Sequence, residues 1–153
     1  MASSANSAFA EHRSIRIESH STATRYLVPL GRLLFAAIFL MSTPGHFSQA
    51  GIAHAASAGL PMANVLVPIA GVLALLGALS LLLGYHARIG ALLLAIFLVP
   101  VTLIMHKFWG VADPMHAQMQ QVNFMKNVAL IGATLVFMYF GAGPVSFDER
   151  AGR

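Results

Sequence analysis

The sequence predicts an all-α membrane protein, a four-transmembrane-helix bundle. Three observations carry this. Hydrophobic residues make up 58% of the 153-residue chain and charged residues only 9%, against roughly 25% charged in a soluble domain. Four apolar segments each come close to the ~20 residues that cross the hydrocarbon core as a helix. And "VLVPIAGVLALLGALSLLLG" has no polar stripe, which every helix of a soluble bundle would need.

Residues 1–24 are Ser/Ala-rich and polar, with no helical apolar period, and are expected to form a cytoplasmic, disordered tail. Their long positive stretch does not fit a signal peptide. The transmembrane domain is expected over 25–143, with span one at about 26–43. Pro44 is expected to end or bend that span. A loop over 44–61 follows. Span two is predicted over 62–83 and span three over 86–106, antiparallel across the short "GYHAR" link. Ala70, Ala74 and Ala78 recur every four residues beside Gly71 and Gly77, and Gly90, Ala91 and Ala95 repeat the pattern in span three. Small residues at this spacing let helix backbones approach closely. Pro100 is expected to kink span three. A polar loop over 107–121 contains "MHAQMQQVNFM", a candidate amphipathic helix lying in the interface. Span four is predicted over 122–141, with a cytoplasmic tail at 144–153.

Basic residues orient the bundle. Arg13, Arg16 and Arg25 precede span one, Arg88 lies in the second loop, and Arg150 and Arg153 lie in the tail. The opposite side has Lys107 and Lys126. Both termini are therefore expected in the cytoplasm of a bacterial inner (plasma) membrane. The net charge of +4 comes without a basic patch or interleaved aromatics, so no nucleic-acid partner is implied. The absence of cysteine excludes thiol nucleophiles, Fe–S ligation and cysteine-held zinc.

Several stretches together resemble the DoxX family of small membrane proteins: "LGRLLFAAIFLMSTPGHF", "GVLALLGALSLLLGYHARIGALLLA", "HKFW", "NFMKNVALIG" and "GAGPVSFDE". The resemblance covers about residues 27–149. It implies a four-helix membrane bundle associated with thiosulfate:quinone oxidoreductases, other membrane redox complexes or redox-stress responses. Arg32 matches the arginine of that family's opening motif. Where the family often has a lysine near the end of span one this chain has His46, and where it often has an acid early in span two this chain has Ala74.

The polar residues of the spans are the site candidates. Arg32 lies about two turns, roughly 11 Å, inside span one. It either snorkels to the headgroups, clamps carbonyls in the bundle, or binds an anionic or quinone headgroup. Asn123, Lys126 and Asn127 share one helix face, as do Thr102 and His106. If both faces turn inward, His106, Asn123, Lys126 and Asn127 form a polar mouth, approached by His46 from span one. Such walls suit a quinone carbonyl and its proton. The alternative is that Lys126 snorkels, the asparagines join helices and the histidines sit at the interface. His46, His54, His106 and His116 are expected on the outer side, but without a tight His pair or a carboxylate cluster, so haem or metal ranks behind quinone and no metal ligand is assigned. Phe108 and Trp109 fit an aromatic belt.

The function expected is a small subunit or accessory of a membrane redox (quinone-linked oxidoreductase) system. With no group of its own able to carry an electron, the chain needs a bound cofactor or a redox partner subunit. The alternative is a non-catalytic structural or assembly subunit, or a small-molecule carrier. The lipid bilayer is the expected surrounding, and a homo-oligomer is compatible with the composition.

Overall fold

The computed structural model describes residues 24–152. The expectation of an N-terminal tail falls on residues outside these, apart from Thr24. A single 3₁₀ turn, Thr24–Tyr26, leads into α1, Leu27–His46. There follow α2 (Gln49–Ser57), α3 (Ala63–Leu83), α4 (Ala87–Met105), α5 (Pro114–Phe140) and the short α6 (Phe147–Arg150). Four helices, α1 with its leading turn, α3, α4 and α5, are long and apolar enough to span a membrane. The protein is an all-α integral membrane protein, with no strand among the described residues.

Both loops at one end of the bundle differ from expectation. Residues 44–61 contain α2, started by Ser48, whose hydroxyl accepts from the Gly51 amide at 3.0 Å. α1 runs through Pro44 and stops two residues later. The 107–121 loop is shorter than predicted. Asp113 caps α5, its carboxylate accepting from the His116 amide at 2.7 Å, and Pro114 sits in the first turn. "MHAQMQQVNFM" is therefore the first turns of span four, not a separate interfacial helix. At 27 residues, α5 is roughly 40 Å long and outruns the ~30 Å hydrocarbon core by about two turns.

α1 packs on α3, α3 on α4 and α4 on α5. α1 and α5 close the ring through side chains, Phe35 against Phe137 with centroids 5.3 Å apart. The small residues lie where the helices touch: Gly71, Ala74, Gly77 and Ala78 of α3 are buried, as are Gly90 and Ala91 of α4. A Cβ on Gly77 would lie 2.7 Å from the Leu94 Cγ and 2.8 Å from the Gly90 carbonyl oxygen. Only a hydrogen lets α3 and α4 meet there. Ala36, Phe39, Leu81, Leu94, Phe97 and Leu98 complete the core.

The two ends of the bundle differ. At one end stand the start of α1, the α3–α4 link and the residues after α5; here it is called the latch end. The other, the mouth end, carries the α1–α3 connection with α2, and the α4–α5 loop. At the latch end the chain after Phe140 folds back over the helices. Arg32 donates to the carbonyl oxygens of Ala142 at 2.6 Å, Val145 at 2.6 Å and Pro144 at 3.4 Å. Asp148 accepts from the amides of His86 at 2.8 Å and Ala87 at 2.9 Å, so it caps α4. The Asp148 amide donates to the Gly84 carbonyl at 2.8 Å. Residues 144–152 are thus tied to α1 and to the α3–α4 link.

Candidate functional site

The polar side chains at the mouth end sit where they do because the helices end there. α1 reaches His46 by crossing α3 at Gly71, where a Cβ would lie 2.6 Å from the His46 Cβ. The His46 ring stands edge-on to Phe97 of α4, centroids 5.4 Å apart. α4 ends at Met105, which leaves His106 as the first residue beyond it. α5 returns on the far side and carries Lys126 and Asn127 a little over three turns below its start.

Between these helices lies a cavity of about 350 Å³. Its lower walls are apolar: Phe39 of α1, Val67 of α3, Phe97 and Leu98 of α4, Leu130 of α5. Its rim is polar, formed by Ser42, His46, His54, His106, Lys126 and Asn127. From Leu98 to Met105, both in the wall, the helical rise is about 10 Å. The cavity therefore occupies the mouth-end half of the bundle. No acidic side chain lines it. Its volume lies within the ~300–1,000 Å³ of small-molecule sites, and its apolar walls with a few polar groups match their make-up.

Four of the five mouth candidates line this cavity: His46, His106, Lys126 and Asn127. Asn123 does not line it. Its side-chain oxygen accepts from the Lys126 ammonium at 3.2 Å, which holds the charge near the rim. His54, on α2, joins the rim although the sequence showed only a histidine in a loop. Ser48 followed by the Ala-rich "QAGIAHAAS" was the cap-plus-helix signal that marked α2. His106 is tied into α5: its Nδ1 lies 3.0 Å from the Gln120 oxygen, and the Gln120 nitrogen lies 3.1 Å from His116 Nε2.

Among the described residues the one buried side-chain polar atom without a hydrogen-bond partner is Arg32 Nε, at the latch end; at the mouth end the residue to note is Asn127. It is 5% exposed, it lines the cavity, and among the described residues its carboxamide has no hydrogen-bond partner. Its amide atoms are not themselves fully buried, so a molecule in the cavity can reach them and bond to them.

Arg32 lies at the other end. It is 2% exposed and points into the carbonyls of the returning chain. Of the three roles open to it in the sequence, the structure shows the carbonyl clamp. No group of three or more His, Asp or Glu able to hold a metal is found among the described residues.

A model of the SURF4 family matches residues 3–153. The chain belongs to the SURF4 family. The resemblance to DoxX is corrected by this match, and no comparison points to DoxX. The longest of the stretches that suggested it are apolar runs with small residues at helix-packing spacing. Any tightly packed membrane bundle selects these for the same physical reason, so they do not separate one family from another. A relative in Escherichia coli (strain K12), described as inner membrane protein YphA, is 32% identical over 100 residues, covering 65% of this chain and 70% of that protein. No solved structure matches this SURF4-family chain.

Proposed function

We propose that this protein binds the head of a quinone-class molecule in the mouth-end cavity, as a small accessory subunit of a membrane redox system. The observation that carries this is the Asn127 carboxamide, which has no hydrogen-bond partner among the described residues and lines a cavity with apolar walls and a polar rim. An apolar ring fits the walls. A ring oxygen meets Asn127, with imidazoles and the Lys126 ammonium at the rim. The chain has no cysteine and no haem or metal ligand set among its described residues. Electrons would therefore come from a partner subunit, and this chain would hold the quinone.

The relative's description supports an inner-membrane location. The basic residues support cytoplasmic termini: Arg25, Arg88 and Arg150 stand at the latch end, with Lys107 and Lys126 at the mouth end. A carrier finds less support, because the packed core of Ala36, Ala74, Ala78 and Leu94 lies beneath the cavity floor.

The test is equilibrium binding of a short-chain quinone to the purified protein in nanodiscs. Saturable binding is expected, weakened roughly 5- to 150-fold by Asn127→Leu through the lost bond and the unpaired ligand oxygen. Absence of saturable binding, or binding indifferent to Asn127→Leu, refutes the reading. A stable protein partner without bound quinone would point to the assembly role instead.

A further inference from the structure

The rim can be read by asking where each polar hydrogen goes. Ser42 donates its hydroxyl hydrogen to the Phe39 carbonyl at 2.9 Å. His46 Nδ1 lies 3.1 Å from the Ser42 carbonyl oxygen. A carbonyl only accepts, so Nδ1 carries the hydrogen, and in the neutral ring Nε2 keeps a lone pair. His106 Nδ1 lies 3.0 Å from the Gln120 side-chain oxygen. That oxygen also only accepts, so His106 takes the same tautomer and its Nε2 is likewise a lone-pair nitrogen. The Gln120 nitrogen is committed to His116 at 3.1 Å, which orients the amide.

Three cavity residues therefore give their hydrogens to the protein and leave acceptors for a ligand. Asn127 adds one donor and one acceptor and so does not change the balance. Lys126 spends one of its three N–H donors on Asn123; the other two can meet a phenol or a carbonyl oxygen alike, and its charge disfavours an ammonium head. A head that brings hydrogens without positive charge is a hydroxyl.

We infer that the cavity selects a dihydroxy aromatic, the hydroquinone, over the corresponding quinone. The inference rests on the quinone-class reading of the same cavity. It assigns His46 and His106 as the residues that distinguish the two redox forms. Both forms share the apolar ring, so the walls cannot tell them apart. Only the forms' hydrogens differ, and only an acceptor-rich rim senses them.

The experiment compares three ligands on the full chain in nanodiscs under anaerobic conditions: a short-chain hydroquinone, its quinone and its di-O-methyl ether. The ether keeps the ring and oxygens but has no hydrogen to give. The hydroquinone is expected to bind at least tenfold tighter than either of the others. In a His46→Phe, His106→Phe variant shown to be folded by its thermal midpoint, the preference is expected to fall toward unity. Equal binding of hydroquinone and quinone overturns this inference and leaves the quinone-class reading standing. If none of the three binds, both fall. A preference that survives in the double variant overturns the assignment to the two imidazoles.

Discussion

Replacing Arg32 with leucine should detach the returning C-terminal segment while leaving the four spans in place. The guanidinium makes two short bonds, to the Ala142 and Val145 carbonyls at 2.6 Å each. A hydrogen bond to a charged group contributes about 1.5–3 kcal/mol, so the pair gives roughly 3–6 kcal/mol. Against this stands the burial of the charge, which leucine removes. The remainder, about 2–4 kcal/mol, corresponds to a roughly 30- to 700-fold rise in local opening. Hydrogen exchange reads it directly. The Asp148 amide, bonded to the Gly84 carbonyl at 2.8 Å, should lose protection by that factor in Arg32→Leu, while the amides of α3 and α4 interiors keep theirs. Arg32→Lys should fall between, because one ammonium does not span two carbonyls held by a planar fork. Unchanged exchange of residues 141–150 in the leucine variant, or a lysine variant equal to wild type, would refute the clamp.

Gly77→Ala should destabilise by about 1–3 kcal/mol through overpacking, since its Cβ would meet Leu94 and the Gly90 carbonyl oxygen; thermal unfolding in detergent should show a lowered midpoint, with Gly132→Ala, which meets nothing within 4 Å, as the unaffected control. A reporter active only outside the cytoplasm, fused after Arg153, should stay silent, and a strong signal would reverse the proposed orientation of the mouth.

The spans were legible because apolar length is a property of composition, which the sequence shows directly. Their ends were less so. Span four was placed at 122 because Gln118, Gln120 and Gln121 broke the apolar run, yet a helix that leaves the hydrocarbon keeps its own hydrogen bonds and continues. Asp113 followed by Pro114 was a readable start signal. Hydropathy outweighed it. At the mouth, His46, His106, Lys126 and Asn127 could be named because polar residues at the ends of apolar runs are conspicuous. Which of them face a common cavity depends on helix rotation, and the weak periodicity of these helices left that open, as Asn123 shows. The clamp was hardest to foresee. Arg32 binds carbonyls, which every residue has, so no side-chain pattern near Ala142 announces the contact. Asp148 caps a helix that starts 61 residues earlier in the chain, beyond the reach of any local motif.

The distance along the chain between Arg32 and its partners sets an order of events in biogenesis. The nearest of these carbonyls, at Ala142, lies 110 residues downstream. At 5–20 residues per second of synthesis, the arginine waits roughly 5–20 s before that carbonyl exists. During that interval the first span carries a charge without its native carbonyl partners; the insertion cost is about 2.5–3.5 kcal/mol at the centre of a span and smaller at the depth of Arg32, near the latch end. Completion of the C-terminal segment is then the step that settles the first span. A ribosome that stalls before residue 142 leaves a chain whose defect is at its beginning.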